Sequence, residues 1–390
     1  MKHNRLIFIL VLFVACLQQF AADIYAPSVP AIAKAMSAPM HMVQYTMAIF
    51  MFGVGLSTLF YGIASEGFGR KKPLIVGLLV MLAGSVVCVF AQNVETLLVG
   101  RFIQGCGCGA TAGLWRTIFR DQWQGDEMAR MASYFTMAIT LVLPIAPVIG
   151  GYLQELIGWQ ASFGFLAVYV ILLLIVVMLF YTETSQHHHL ERLKPKFIWQ
   201  AIKEVLTHRE FLGYIGISFL CFGGLFSWFI AGPVIIIHVL KYTPAEFGWM
   251  TLIATAIAML FGGKVNAKYV KAKGAKAMMK IGFAFMLLSG LIALVSYFIV
   301  GNNVYAIMTA VTLFYFSGSL VWPNAFANAM TPFGKIAGFA GPIYSAMQIS
   351  GAAVIGAIVA YLPSDTVLPV AIVFIVVPML AWLLLRFVVE

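Results

Sequence analysis

Two long apolar runs are separated by the stretch GIASEGFGRKKP at residues 62–73. Its glycines permit a tight turn, because a residue without a Cβ adopts backbone conformations that other residues avoid. Glu66 stands just before the basic cluster 70–72, where an acid can pair with a neighbouring helix end. Basic residues are concentrated at the cytoplasmic ends of membrane helices. We therefore interpret this stretch as a short cytoplasmic turn between two spanning helices.

The apolar runs beside this turn belong to a longer series. The chain has 390 residues, of which 62% are hydrophobic and 10% are charged, whereas soluble domains have roughly 45–50% apolar and about 25% charged residues. This balance excludes a cytosolic enzyme, a disordered scaffold and a disulfide-rich secreted domain. Each run is continuous rather than alternating, which predicts an all-α membrane protein and not a membrane barrel. The twelve predicted spans lie near residues 6–26, 41–64, 74–92, 96–116, 131–154, 162–181, 211–236, 246–263, 280–300, 303–322, 338–361 and 367–388.

The basic residues predict the orientation of these spans. If the N-terminus is inside, only Lys34, Arg101 and Lys241 of the 24 Lys and Arg residues fall away from the cytoplasmic side. The positive-inside rule therefore predicts that both termini are cytoplasmic. The net charge of +10 is explained by topology and by attraction to anionic lipid, so no nucleic-acid partner is expected.

One long polar stretch, residues 182–211, divides the spans into six and six. This layout is typical of transporters built from two repeats, with the substrate handled between them. It predicts an N-terminal six-helix bundle at 1–182, a cytoplasmic linker at 183–210 and a pseudo-symmetric C-terminal six-helix bundle at 211–390. The basic cluster that follows span 2 recurs near 268–274, after span 8.

No metal site or cofactor is expected. All five cysteines fall inside apolar runs, where they are interpreted as small buried hydrophobic residues. Three consecutive histidines at 187–189 lie in the linker, and we interpret them as solvated residues rather than as metal ligands.

Spans 4 and 5 carry patterns that lipid-facing helices lack. Gly105, Gly109 and Gly113 repeat every four residues in span 4, which predicts a small-residue face for close helix packing. Arg101 lies about five residues into the same span, where an unpaired charge costs several kcal/mol. Span 5 ends in the pattern PxxPxxGG at 144–151, which is typical of a break followed by close packing.

These segments together resemble motifs A, B and C of the major facilitator superfamily, in its twelve-helix drug:proton antiporter group. The runs 23–30, 120–121, 231–233 and 244–248 resemble the bicyclomycin-resistance (Bcr/CflA) branch. Glu66 stands where motif A usually has Asp, Gly67 where it usually has a basic residue, and Ala146 where motif C usually has Gly. The resemblance implies a transporter of a bacterial inner membrane and assigns conformational roles to Gly62, Glu66, Gly69, Arg70, Lys71, Pro147, Gly150 and Gly151.

Asp23 and Arg101 are predicted to form the proton-coupling pair. Span 1 runs outward and span 4 inward, so Asp23, about 17 residues along its span, and Arg101 reach a similar depth at a rise of ~1.5 Å per residue. Each charge is costly alone in lipid, which favours a pair or a near-pair. The alternative is a structural ion pair that locks two helices together.

The substrate candidates are polar or aromatic residues on the helices that line the central cavity in the resembled family. They are Gln19, Tyr25, Gln104, Trp228, Trp322, Asn324, Asn328, Tyr344 and Gln348. Arg116, near the inner end of span 4, is expected to extend toward the lipid headgroups. His238 is interpreted as a residue at the outer interface.

The sequence thus predicts a proton-coupled exporter of small amphipathic compounds, such as drugs or a secreted metabolite of the siderophore kind. Its partners are the substrate, protons and the lipid bilayer, and the chain is expected to act as a monomer driven by the proton gradient. An uptake symporter on the same fold is the first alternative. A membrane-embedded enzyme is the second, although the sequence contains neither a HExxH zinc motif nor a phosphate-binding loop.

Overall fold

The fold is all-α, as the continuous apolar runs predict. The computed structural model describes residues 2–390 apart from 124–126, 129, 132–133, 136–137, 139–141, 185–190, 192–193 and 364, and for residues 2–6, 143 and 334–338 it describes the backbone alone. The described residues form helices joined by short turns and contain no strand.

The helices follow one another with few residues between them. In chain order the α-helices are α1 (Lys2–Asp23), α2 (Val29–Ala35), α3 (Met40–Phe68), α4 (Lys71–Val89), α5 (Val94–Gln122), α6 (Ala146–Leu156), α7 (Gln160–Phe180), α8 (Pro195–Thr207), α9 (Arg209–Pro233), α10 (Pro244–Lys273), α11 (Ala275–Val300), α12 (Val304–Met330), α13 (Ala337–Tyr361) and α14 (Leu368–Leu384). Shorter 3-10 or π segments lie at Ala26–Ser28, Leu143–Ile145, Val234–Val239, Thr331–Ile336 and Leu385–Val389.

Ten helical segments in the described part of the chain are long and apolar enough to cross a membrane. They coincide with all the predicted spans except the fourth and the fifth. Helix α5 covers the fourth and has 29 residues, but Arg101, Arg116 and its glycines lower its hydropathy. The fifth, 131–154, lies partly outside the described residues, and α6 is its described end.

Several helix boundaries differ from the predicted ones. Helix α10 continues to Lys273, beyond the predicted end at 263. The prediction ended where the apolar run ends, whereas the helix extends past the lipid into basic residues. The predicted linker contains α8, whose Ala201 and Val205 are buried. The triple histidine at 187–189 lies outside the described residues.

Two glycines end equivalent helices in the two halves of the chain. Gly69 follows α3 with a φ of 82°, and Gly274 follows α10 with a φ of 84°. Both values lie in the left-handed region, which favours glycine. The basic clusters noted after spans 2 and 8 therefore share a backbone turn as well as a charge pattern.

The packing groups most helices with others from the same half of the chain. Helix α5 packs against α1, α3 and α4, and α4 packs against α7. In the second half, α9 packs against α12, α13 and α14, while α11 packs against α12 and α14. The halves meet mainly where α3 packs on α13 and α6 packs on α10. The domain boundaries at 182 and 211 remain a prediction.

Candidate transport site and gating cluster

Asp23 ends α1 in buried surroundings. Its side chain is only 3% exposed, and Gln19 Nε2, one turn earlier, donates a hydrogen bond of 2.5 Å to Asp23 Oδ2. Asp23 Oδ1 is buried without a hydrogen-bond partner in the described part of the chain. A carboxyl group held in this way can take up or release a proton when its surroundings change.

Arg101 is fully buried in the middle of a cage built from α1, α3 and α5. Its Nη1 donates to the carbonyl oxygen of Ala21 at 3.1 Å and to Gln104 Oε1 at 2.5 Å. The guanidinium carbon lies 4.3 Å from the ring centroid of Tyr25 and 4.0 Å from that of Phe50. Carbonyl oxygens and aromatic faces therefore replace a carboxylate as the surroundings of this cation.

The structure brings Asp23 and Arg101 to the same level of the fold without an ion pair between them. No described salt bridge joins the two residues, yet the carbonyl that binds Arg101 lies two residues before Asp23. The two charges are close enough to interact electrostatically. The two side chains are therefore near each other without a described ion pair.

Three of the substrate candidates belong to this buried cluster. Gln19 is held by Asp23, and Gln104 Nε2 donates to Ser85 Oγ at 2.8 Å. The hydroxyl of Tyr25 is 2.8 Å from that of Thr46, and its ring covers Arg101. Their polar atoms contact protein groups in this conformation.

The other candidates lie on α9, α12 and α13, in the second half of the chain. Three of them carry a buried polar atom that has no hydrogen-bond partner in the described part of the protein. These atoms are Trp228 Nε1, Trp322 Nε1 and Asn328 Nδ2. Such groups are available to a ligand, because a buried donor left unpaired costs about 1–3 kcal/mol.

The remaining candidates hold helices together or lie beside them. Asn324 Nδ2 donates to Asn266 Oδ1 at 2.8 Å, which joins α12 to α10. The hydroxyl of Tyr344 is hydrogen-bonded to that of Ser218 and joins α13 to α9. Gln348 is half-buried on α13.

Arg116, which the sequence predicts to extend toward the lipid headgroups, contacts the second half of the chain. Its Nη1 donates to Ser345 Oγ at 3.3 Å, on α13. The guanidinium also lies over the rings of Trp115 and Phe326. A partner across the interface between the halves holds it inward.

Arg70 is the centre of a buried ion-pair cluster, the candidate gating cluster, at the turn between α3 and α4. Its Nε lies 3.0 Å from Asp121 Oδ2 at the end of α5, and its Nη1 lies 3.1 Å from Glu66 Oε1. Nη1 also donates to the carbonyl oxygen of Ser65 at 2.7 Å. The first two contacts join three elements through one buried guanidinium.

Electrostatics bind this cluster tightly. Burial alone lowers the pKa of Arg70, but the carboxylates of Asp121 and Glu66 reverse that effect and raise the pKa above its usual value. Burial raises the pKa of Asp121, which Arg70 opposes without cancelling. The cation is therefore charged at physiological pH, and removing it would leave two acids facing each other.

Glu183 adds a contact that sequence reasoning missed. Its Oε1 accepts a hydrogen bond of 2.8 Å from the backbone N–H of Arg70, and its Oε2 accepts one of 3.0 Å from that of Lys71. Both N–H groups lie at the start of α4, where a helix attracts negative charge. An acid placed directly after an apolar span is the signal that could have indicated this contact.

The pattern at 144–151 forms the contact of α6 with both α10 and the end of α1. A Cβ at Gly150 would lie 1.6 Å from the carbonyl oxygen of Ile24, and one at Gly151 would lie 2.5 Å from that of Pro244. A Cβ at Gly248 would lie 2.6 Å from the carbonyl oxygen of Pro147. Glycine is required here because backbones approach where any side chain would collide.

Comparison with known proteins identifies the family. A family model described as the Major Facilitator Superfamily matches residues 11–341. The chain belongs to the major facilitator superfamily. It is therefore a multi-pass membrane transporter and not an enzyme, as the motifs predicted.

Individual relatives of this transporter agree with that assignment. The bicyclomycin resistance protein homolog of Haemophilus influenzae is 27% identical over 369 residues, which cover 94% of this chain and 92% of the relative. Multidrug resistance protein D of Escherichia coli is 25% identical over 369 residues, which cover 93% and 91%. The resemblance to the bicyclomycin-resistance branch is thus confirmed.

A solved structure supports the fold. The xylose transporter XylE from Escherichia coli, in a partially occluded inward-open conformation, superposes with a TM-score of 0.73 at 14% sequence identity. The match covers 100% of this chain and 98% of that one. At this identity the likeness concerns the fold alone.

Proposed function

We propose that this transporter exports small amphipathic compounds, such as drugs or a secreted metabolite of the siderophore kind, in exchange for protons. It acts as a monomer in a bacterial inner membrane by alternating access. Both termini are cytoplasmic, and the proton gradient is the only energy source. The names of the relatives, which are resistance proteins, favour export over uptake.

The observation that carries the proposal is the position of Asp23 beside a caged cation. Asp23 Oδ1 has no described hydrogen-bond partner, while Arg101 is held by the carbonyl oxygen of Ala21 on α1 and by Gln104. Loss of the Asp23 proton places a negative charge beside Arg101 and strengthens the attraction between α1 and α5. Proton loading and release at Asp23 are in this way linked to helix position.

A route from Asp23 to the interface between the halves supports the coupling. The residue after Asp23 is Ile24, whose carbonyl oxygen is in close contact with Gly150 of α6. The next residue of α6, Gly151, lies against the start of α10. A shift at the end of α1 therefore displaces α6 where it packs on the second half of the chain.

The proposal is tested with Asp23→Asn. The variant keeps the size of the side chain and removes the titratable group, so it is expected to abolish proton-driven transport while it retains expression and substrate binding. Antibiotic sensitivity of an efflux-deficient host first identifies a transported compound. Uptake of that compound into inside-out vesicles under an imposed proton gradient then measures coupling.

Asp365→Asn is the matched control, because Asp365 is an exposed acid between α13 and α14. It is expected to transport like the natural chain. Full proton-coupled transport by Asp23→Asn would remove Asp23 from the coupling role. Substrate entry into the vesicles without consumption of the gradient would contradict antiport.

A further inference from the structure

Arg116 carries a charge for which the described part of the chain supplies no carboxylate partner. Its hydrogen bond is to a neutral hydroxyl, that of Ser345, and the described salt bridges involve other cations. A cation within a membrane helix is costly unless it pairs with an anion. Arg101 satisfies its own charge with carbonyl oxygens, and Arg116 has no described carbonyl contact.

Arg116 lies against an aromatic wall formed by Trp115, Phe326 and Tyr344. The guanidinium carbon lies 4.4 Å from the ring centroid of Trp115 and 5.6 Å from that of Phe326. Phe326 in turn packs edge-on against Tyr344 at 5.1 Å. A guanidinium that stacks on a ring keeps the N–H groups at its edge available for a carboxylate.

The wall is shared between the halves of the chain. Trp115 and Arg116 belong to α5, while Phe326 and Ser345 belong to α12 and α13. Arg116 remains exposed despite these contacts. Its contacts with Phe326 and Ser345 place the guanidinium where α5 meets the second half of the chain.

A second, independent observation concerns a cleft at the end of the molecule predicted to be extracytoplasmic. The cleft has a volume of about 450 Å³ and is lined by Lys34 of α2, by His238 of the π segment and by Lys241, which follows that segment. No carboxylate is among the described residues that line it. Lys34 and Lys241 are two of the three basic residues that depart from the positive-inside pattern, so topology does not account for them.

We propose that the substrates are small amphipathic anions, recognised through a carboxylate that pairs with Arg116 and an apolar ring that packs on Trp115 and Phe326. The basic cleft attracts the same anion at the outer end of its route. This inference rests on the proposed export function and specifies its substrate class. An uncharged analogue of the same shape lacks the pairing group and binds more weakly.

The probes are 1-naphthoate and 1-naphthamide, which share a ring system and differ in charge. Titration calorimetry on the purified full-length protein, with no pH gradient, is expected to give about tenfold tighter binding of naphthoate, as charge-assisted hydrogen bonds allow. Arg116→Gln is expected to weaken naphthoate binding about tenfold and to leave naphthamide binding unchanged. Arg116→Lys keeps the charge without the planar fork and is expected to retain part of the preference.

Lys203→Gln is the control, because it removes one positive charge from an exposed position on α8. It is expected to bind both probes like the natural chain. Equal affinity of the natural chain for the two probes, no naphthoate binding at millimolar concentration, or an unchanged preference in Arg116→Gln would overturn the proposal. Binding requires no proton gradient, so the two experiments test different proposals. Failure of the Asp23 experiment would contradict proton coupling, whereas this titration alone tests the preference for anions.

Discussion

Two arginines on α5 lie in different electrostatic surroundings. Arg101 is enclosed by carbonyl oxygens, an amide and aromatic faces, whereas Arg116 is exposed and faces a hydroxyl and two rings. The helical rise predicted that Asp23 and Arg101 share a depth, because depth depends on position along a span. The carbonyl of Ala21 and the hydroxyl of Ser345 could not be predicted, because these contacts depend on how helices rotate against one another.

Arg70 is expected to be the residue whose loss destabilises the gating cluster most. Its side chain is 7% exposed and pairs with Glu66 and Asp121, whose side chains are 6% and 17% exposed. Arg70→Gln removes the cation shared by these two carboxylates and is expected to cost about 3 kcal/mol of stability. Thermal unfolding in detergent measures the loss.

A second substitution separates charge from packing. Arg70→Gln combined with Asp121→Asn removes the cation and one acid together, so it is expected to recover part of the lost stability. Lys72→Gln, at an exposed neighbouring position, is expected to unfold like the natural chain. Equal unfolding temperatures of Arg70→Gln and Lys72→Gln would contradict the central role of Arg70.

At the scale of helices, glycine spacing predicted contact faces but not partners. A Cβ at Gly105 would lie 2.2 Å from the carbonyl oxygen of Phe50, and one at Gly109 would lie 2.7 Å from the backbone nitrogen of Thr58. The predicted small-residue face of span 4 is therefore confirmed, and it packs on α3. Gly107 points away from that face, toward Met81 of α4, which a search for a four-residue repeat does not detect.

Helix α6 is expected to tolerate no side chain at Gly150. Gly150→Ala places a methyl group against the carbonyl oxygen of Ile24, so α6 must move away from the end of α1. We expect a lower unfolding temperature and at least tenfold slower transport, since the route from Asp23 passes through this contact. Vesicle transport and thermal unfolding of the same preparation measure the two effects.

Gly164→Ala is the matched control, because a Cβ built at Gly164 has no atom within 4 Å apart from those of its chain neighbours and of its own helix backbone. The same added methyl group in open space is expected to leave stability and transport close to those of the natural chain. If both variants had the same unfolding temperature and transport rate, the close approach of α6 to α1 would not be required for stability or transport.

At the scale of the whole molecule, the apolar runs predicted the fold because lipid requires continuous apolar helices. They predicted helix ends poorly, since helices continue beyond the lipid: α12 reaches Met330 although its apolar run ends near 322. The amphipathic α8 was assigned to a linker because polar and charged residues interrupt its apolar ones. Contacts between the halves could not be predicted, because neither segment alone carries a sequence pattern for them. An example is the hydrogen bond of 2.9 Å that Gln44 Nε2 donates to the carbonyl oxygen of Ile230.

The predicted division into two bundles is tested by expressing the chain as two pieces. Co-expressed fragments 1–188 and 189–390 are expected to co-purify and to transport, because most helices pack within their own half and α8 stays with α9 and α13, which it contacts. A tag on one fragment and detection of the other measure assembly.

A break between Gly351 and Ala352 is the comparison. It cuts α13 where Gly351 closely contacts Phe219 of α9, so it is expected to prevent assembly. If the first pair of fragments failed to assemble, or if both breaks were tolerated equally, the boundary between the bundles would lie elsewhere in the chain.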